Sequence, residues 1–232
     1  SYQEYKNLNE TARKYGIDFL YEASVGAGLP IIGVLKDLRM SGDQILKIEA
    51  ILSGTISYIF NHFKGENTFA EVVKKAQELG YTEPDPRDDL SGIDFMRKML
   101  ILARDNGYEV EAADVKIDSI LPKSCLEAAT VEDFYQELIN ENDYFEKIKH
   151  QAEAEQKVIR YIGILEDGKI SISLELVDNQ HPFYALSGSD NIISFTTARY
   201  KERPLVVKGP GAGAEVTAAG VFADLGNISS IR

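Results

Sequence analysis

Cysteine is almost absent from this chain of 232 residues, which contains only Cys125. A single cysteine excludes an internal disulfide framework and suits a reducing compartment, so we expect a cytoplasmic protein. The three histidines, at positions 62, 150 and 181, lie far apart in the sequence, and no two have the spacing of zinc ligands. No residue close to Cys125 in sequence supplies a base, so we expect a buried or idle thiol rather than a nucleophile.

Long apolar runs and clusters of positive charge are also missing. No apolar stretch approaches the roughly 18 residues that a membrane-spanning helix needs, and no signal peptide opens the sequence. Acidic residues outnumber basic ones by 37 to 25, which gives a formal net charge of −12. A nucleic acid or an acidic membrane surface attracts a basic protein face, so we expect neither as a partner.

The remaining composition is that of a globular protein. Hydrophobic residues make up 44% of the chain, which excludes general disorder. The length allows one or two domains with a substantial core. The first sixteen residues, SYQEYKNLNETARKYG, have the pattern of the middle of a helix that ends at Gly16, so we expect a fragment of a larger protein.

Apolar periodicity predicts helices in the first two thirds of the chain and strands mainly in the last third. Helices are expected at residues 2–15, 31–39, 57–63, 68–80, 93–106 and 131–155, the last of these broken at 140–142. Strands are expected at 18–24, 44–52, 115–121, 158–165, 169–177, 192–200 and 205–208. An Asp-Gly pair at 167–168 predicts a hairpin between two of these strands. The order favours an α+β fold, with helices on one face of a mixed, largely antiparallel sheet.

Two glycine-rich loops invite comparison with a dinucleotide-binding fingerprint. The first, Val25-Gly26-Ala27-Gly28, follows an expected strand, but Ile31 stands where the third glycine belongs. The second, at 209–213, is followed by too little chain for a βαβ unit. Neither loop is a convincing fingerprint, and a tight turn explains both. The carbonyls of the first loop, together with Glu22, are alternatively hard oxygen ligands for an alkali or calcium-like ion.

The most informative segment is an acidic, proline-containing turn that leads into a helix at 93–106. Asp94 and Lys98 are four residues apart, so their side chains lie on one helical face. One interpretation is structural: Ser91-x-x-Asp94 is a variant capping box with Lys98 as an ion-pair partner. The other is functional, because acids crowded around a lysine suit an ammonium-bearing substrate. The residues alone leave both interpretations open.

A Ser-Gly-Thr segment at 53–55 lies where an expected strand gives way to an expected helix. The simpler interpretation is an N-cap by Ser53 or Thr55, and we favour it. The alternative is an anion site, in which free N–H groups at the helix start meet a carboxylate.

Four segments together resemble one known family, homoserine dehydrogenase, and most closely the C-terminal part of bifunctional aspartokinase–homoserine dehydrogenases. They are EASVGAGLPII at 22–32, ILSGTISYIFNHF at 51–63, GYTEPDPRDDLSGIDFMRKMLILAR at 80–104 and GAGAEVTAAGVFADL at 211–225. The third is long and specific, and the resemblance runs along nearly the whole chain. It implies NAD- or NADP-dependent interconversion of L-homoserine and L-aspartate 4-semialdehyde, in threonine and methionine biosynthesis.

The resemblance also implies residue roles. Lys98 matches the general acid/base, and it acts with Asp94 on a small amino-acid substrate. Further substrate-binding positions match Glu83, Asp89, Asp94, Gly54 and Thr55. Glycines against the cofactor match Gly80 and Gly213, and a sodium-like monovalent cation is held near Glu22, Val25, Ala27 and Leu29.

One departure from the family pattern concerns the nucleotide-binding domain. In the family this domain precedes the matching region and carries the glycine fingerprint and a second active-site lysine, and both are absent from this sequence. Residues 1–24 and 209–232 then correspond to remnants of that domain, and 25–208 to the substrate-binding, catalytic and dimerisation domain of a homodimer. The alternative is that the isolated chain is an inert dimerisation or assembly module. A third possibility, a semialdehyde dehydrogenase with a cysteine nucleophile, has only Cys125 to offer.

Overall fold

The computed structural model describes residues 1–230, so the last two residues of the expected return segment lie outside the described part. Ten α-helices and six strands are found in it. The helices are α1 (Tyr2–Tyr15), α2 (Ile32–Met40), α3 (Gly54–His62), α4 (Phe69–Glu78), α5 (Pro86–Leu90), α6 (Ile93–Asp105), α7 (Lys123–Leu126), α8 (Val131–Asn140), α9 (Asn142–Ala154) and α10 (Ala214–Ser230). The strands are β1 (Ile45–Ile51), β2 (Lys116–Ile117), β3 (Val158–Glu166), β4 (Lys169–Val177), β5 (Asp190–Thr197) and β6 (Leu205–Pro210).

All six strands form one sheet, in the order β2-β4-β3-β1-β5-β6. Every pairing is antiparallel except that of β2 with β4, so the expected mixed, largely antiparallel sheet is confirmed. The predicted hairpin joins β3 to β4. Its turn residues Asp167 and Gly168 have φ angles of 48° and 75°, the left-handed backbone that such a turn requires.

Side-chain alternation along the central strands gives the sheet two different faces. In β3, Ile159, Tyr161 and Leu165 belong to the main core, and helices α3, α6 and α9 pack against this strand. Ile162 points to the opposite face, where Phe183 and other residues of the 178–189 segment form a small second cluster. The α+β architecture with helices on one face is therefore confirmed.

Helix ends agree with the capping chemistry read from the sequence. Thr68 and Glu71 form the predicted capping box at the start of α4, and Gly16 ends α1 in a left-handed conformation. Ser1 is the N-cap of α1, and its side chain forms a capping box with Glu4. Among the described residues, no helix is both long and apolar enough to cross a membrane.

Two expected strands differ in the structure. Residues 18–21 have no regular structure and a 3₁₀ turn follows at Glu22–Ser24, where α10 packs; no strand of the described residues pairs with this segment. The expected strand at 115–121 shrinks to Lys116–Ile117, since only these residues pair with β4 before the chain turns toward α7. In both cases the apolar pattern reflects packing rather than participation in the sheet.

Candidate active site

The Asp94–Lys98 pair lies at the start of α6. Lys98 Nζ is 2.9 Å from Asp94 Oδ2 and donates a hydrogen bond of 2.8 Å to the carbonyl of Leu52, just after β1. The Lys98 side chain is 21% exposed and that of Asp94 is 64% exposed. The Lys98 amine is therefore mostly shielded from solvent, whereas its carboxylate partner Asp94 is largely exposed.

The variant capping box expected from Ser91 and Asp94 does not form. Gly92, with φ 74°, is the N-cap of α6 and makes no side-chain cap, so Asp94 is the second helical residue, one short of the capping-box position. Ser91 instead accepts a long hydrogen bond of 3.4 Å from the Ile93 N–H. The Asp94 carboxylate is consequently available to Lys98.

A second group of contacts centres on Thr55 at the start of α3. Ser53 caps this helix by accepting a hydrogen bond from the Ile56 N–H, which confirms the favoured interpretation of the Ser-Gly-Thr segment. Thr55 Oγ1 lies 2.5 Å from the Tyr81 carbonyl oxygen and 3.1 Å from Asp89 Oδ1. Because Leu52 and Thr55 are three residues apart, this short segment contacts both Lys98 and Asp89.

Asp89 is a half-buried acid of the turn. Its Oδ2 accepts a hydrogen bond of 2.8 Å from the Glu83 N–H. Burial raises the pKa of Asp89, and the Glu83 and Asp88 charges add to that rise against the lowering effect of its hydrogen bonds. The structure therefore links Asp89, Thr55 and the Glu83 main chain directly, whereas the Glu83 side chain is exposed.

Sequence reasoning missed two supporting features of this site. Arg87 pairs with Asp85 at 2.5 Å and donates to the Ala128 carbonyl, which fixes the turn to the loop between α7 and α8. Their spacing of two residues within the turn was an available signal. The ring of Tyr81 stacks on that of Tyr58 with centroids 4.3 Å apart, and nothing in the local sequence indicates this contact.

The two glycines expected near a cofactor lie in separate loops with positive φ, 75° at Gly80 and 119° at Gly213. A Cβ added to Gly80 would meet no heavy atom within 4 Å, so its backbone faces open space. Gly213 lies at the end of a largely apolar cleft along α10 that includes Thr217 and Phe222. The exposed Gly213 backbone beside apolar surface fits the close approach of a nucleotide cofactor.

The residues expected around a cation lie between the Glu22–Ser24 turn and α2. The Glu22 carboxylate accepts hydrogen bonds of 2.7 Å from the N–H groups of Ile31, Ile32 and Gly33, so it caps α2. The remaining candidate ligands are main-chain oxygens of Val25, Ala27 and Leu29, in a loop that packs against α10 at Gly220. Within residues 1–230, no group of three His, Cys, Asp or Glu side chains is placed to hold a metal ion.

Cys125 lies in α7 and is fully buried. Burial raises the pKa of its thiol to about 11, so the thiolate that a nucleophile needs is not formed near neutral pH. The structure therefore gives no support to a cysteine-dependent mechanism.

Comparisons with known proteins agree on one family. The homoserine dehydrogenase family pattern matches residues 30–225. A maize chloroplastic bifunctional aspartokinase/homoserine dehydrogenase is 49% identical over 229 residues, which cover 98% of this chain and 25% of the maize protein. The homoserine dehydrogenase of Schizosaccharomyces pombe is 48% identical over 97% of this chain and 62% of its own length.

Solved structures give the same result. A putative homoserine dehydrogenase from Archaeoglobus fulgidus superposes with a TM-score of 0.78 at 30% identity, over 97% of this chain and 63% of that one. A hyperthermophilic archaeal homoserine dehydrogenase in complex with NADPH gives a TM-score of 0.71 at 25% identity, over 97% of this chain and 59% of that one.

The fold and the site define an α+β domain in which a lysine–carboxylate pair lies beside an acidic turn. The chain belongs to the homoserine dehydrogenase family. It spans about a quarter of the length of the bifunctional relatives that it matches.

Proposed function

We propose that the protein containing this chain is a homoserine dehydrogenase, which interconverts L-homoserine and L-aspartate 4-semialdehyde with NAD or NADP. The observation that carries the proposal is the contact of Lys98 with both Asp94 and the Leu52 carbonyl. Leu52 lies three residues before Thr55, which contacts Asp89. The family membership supports the same reaction. The chain is, in this proposal, the substrate and catalytic part of the enzyme.

In the proposed mechanism, Lys98 exchanges a proton with the oxygen at C4 of the substrate. Its two acceptors, the Asp94 carboxylate and the Leu52 carbonyl, hold the amine in place. Carboxylates of Glu83, Asp89 and Asp94 bind the substrate ammonium and hydroxyl, for which their negative charge is suited. The nicotinamide cofactor, when bound, supplies the hydride chemistry.

Residues 1–24 and 209–232 are proposed to belong to a nucleotide-binding domain. Asp224 of α10 accepts a hydrogen bond of 2.9 Å from the Glu22 N–H, so the two terminal regions contact each other. Large apolar side chains on these segments are exposed: Phe222 is 76% exposed and Ile17 is 61% exposed. Such a patch suits contact with further protein, here the rest of that domain. Gly80 of the catalytic domain and Gly213 of the nucleotide-binding domain would face the cofactor, and main-chain oxygens near Glu22 would hold a sodium-like cation.

The test is Lys98→Ala in a form of the protein that oxidises homoserine. We expect kcat to fall by about 10² to 10⁴-fold, the range that a positioned proton donor contributes. Lys75→Ala is the matched control, since Lys75 also pairs with a carboxylate, Glu78, but on the exposed face of α4. Near-normal turnover by Lys98→Ala would remove this lysine from the mechanism.

A second proposal concerns the isolated chain, which is an assembly module if the cofactor site is incomplete without further domains. Titration of the isolated chain with NADPH separates the two proposals, because tight binding contradicts the assembly module.

The plant relatives are named chloroplastic, so a cytoplasmic location of this protein stays a prediction that cell fractionation tests.

A further inference from the structure

A cleft of about 470 Å³ lies away from the candidate active site, between the end of α3, the end of α9, the start of β3 and residues 184–188. Its charged lining consists of one carboxylate and four cationic side chains, namely Glu153, Lys64, Lys149, Lys157 and Arg160. The chain as a whole carries a net charge of −12. Positive charge gathered in one concave place on an acidic protein is therefore a local feature and does not follow from the overall composition.

Arg160 is a buried cation that pairs with no carboxylate among the described residues. Its guanidinium donates hydrogen bonds of 2.9 to 3.0 Å to four carbonyl oxygens, those of Ile159, Phe183, Tyr184 and Leu186. Because a guanidinium has five N–H groups, one hydrogen on Nη1 is left for another acceptor. Burial lowers the pKa of Arg160 to about 10, so the group is still charged at neutral pH. A buried charge that only dipoles compensate favours a nearby anion.

The lysines differ in how far their charge is already paired. Lys149 Nζ is 2.8 Å from Glu146 and also bonds the Asn67 carbonyl, and Lys157 Nζ is 2.7 Å from Glu155. Lys64 is exposed, and its side chain has no hydrogen-bond or ion-pair partner in the part of the chain that the structure describes. Lys64 and Arg160 are therefore the two cleft cations with no carboxylate partner.

We propose that this cleft binds a small anion that carries phosphate groups. The fork of Arg160 is largely engaged by carbonyls, so it cannot grip a planar carboxylate with two parallel bonds. Ammonium groups at separate points around a cavity instead suit the several oxygens of a phosphate. The cleft volume falls within the range of small-molecule sites.

The proposed site is independent of the dehydrogenase proposal. None of Lys98, Asp94, Asp89 and Thr55 lines the cleft. It lies at the opposite end of α3 from Thr55, where His62 stacks on Tyr58 with ring centroids 4.1 Å apart. Failure of either proposal thus leaves the other standing.

Isothermal titration calorimetry of the purified protein with sodium pyrophosphate tests the proposal. We expect saturable binding to one site that weakens as sodium chloride is added. Lys64→Gln should weaken binding about fivefold, the upper range for one partly exposed ion pair, and adding Lys157→Gln should weaken it further. Lys74→Gln is the matched control, because Lys74 is exposed, lies outside the cleft and makes the same charge change.

Two results would overturn the proposal. One is the absence of saturable pyrophosphate binding by the parent protein. The other is equal binding by the parent and by the Lys64→Gln/Lys157→Gln variant, which places the anion elsewhere. Thermal melting of each variant confirms that it is folded, and both side chains are accessible enough that we expect folding to be retained.

Discussion

At the scale of single residues, the candidate active site depends on polar groups that share partners. Thr55 Oγ1 lies between the Tyr81 carbonyl and the Asp89 carboxylate, and Asp89 also accepts the Glu83 N–H. Its folded pKa is raised by burial, so the folded protein holds a proton on Asp89 more tightly than the unfolded chain does. The charged Asp89 present near neutral pH therefore reduces stability.

Asp89→Asn should make the protein more stable near neutral pH. An asparagine can keep both contacts, accepting from the Glu83 N–H and donating to Thr55 Oγ1, while it removes the partly buried charge. Because the folded pKa is raised, the penalty is absent in acid and grows as pH rises above about 4, the ordinary aspartate value. We expect a gain below about 1 kcal/mol, given the partial exposure.

Urea unfolding at acidic and neutral pH measures this gain in the free energy of unfolding. Asp37→Asn is the control, since Asp37 is exposed on α2, outside this turn, and the substitution makes the same charge change. A variant that is less stable than the parent at neutral pH, or a gain that is largest in acid, would contradict the assignment of the raised pKa.

How much of the site the sequence predicts depends on the type of contact. The spacing of Asp94 and Lys98 predicts their pairing, because helical geometry alone places them together. The second partner of Lys98 is the main-chain carbonyl of Leu52, which has no signature in a sequence. The contact of Thr55 with Asp89 depends on how α3 packs beside α5, which is a property of the tertiary fold.

At the scale of elements, helix ends were more predictable than strands. The Thr68–Glu71 box obeys local rules, so the start of α4 was predicted correctly. Residues 18–24 have strand-like composition, but a strand requires a neighbour, and the local sequence carries no information about that neighbour. The cap of α2 was missed for the same reason, since Glu22 reaches N–H groups nine to eleven residues ahead.

Glu22→Gln should destabilise the fold by about 1 to 2 kcal/mol through the loss of this cap. The Glu22 carboxylate accepts hydrogen bonds from three N–H groups with two oxygens, whereas a glutamine has only one oxygen. The glutamine NH₂ group would face an N–H group that it cannot accept from. Chemical denaturation in sodium-free buffer measures the change without any contribution from cation binding.

Glu71→Gln is the matched control for that change, because a glutamine can serve equally at the capping-box position of α4. We expect it to alter stability by only a few tenths of a kcal/mol. Equal stability of the two variants would show that the Glu22 cap contributes nothing.

At the scale of the whole molecule, the sheet face opposite the helices is covered over only part of its area by the 178–189 segment. Ile164 lies on this face beside a small cleft that includes Glu49, Glu175 and His181. An antiparallel sheet face with half-buried aliphatic side chains suits contact with a second copy of the chain. This is the surface through which we expect the predicted homodimer to form.

Ile164→Lys should shift the protein from dimer to monomer, because it places a charge on that face. Sedimentation velocity over a range of concentrations measures the change. Ile139→Lys is the control, since Ile139 is 58% exposed on α8. A monomeric parent protein, or a variant as dimeric as the parent, would contradict the dimer through this face.

Strand β1 has a consequence for how the chain acquires its structure during synthesis. It occupies an inner position of the sheet, yet it is the first strand to be synthesised. Both of its neighbours come much later in the chain, since Lys47 pairs with Glu166 of β3 and Ile51 with Ile192 of β5. Such distant pairings fold slowly, because a long loop must close before they form. A nascent or truncated chain that stops before β3 therefore carries an apolar strand with two unpaired edges, the kind of segment that chaperones bind and that aggregates when they do not.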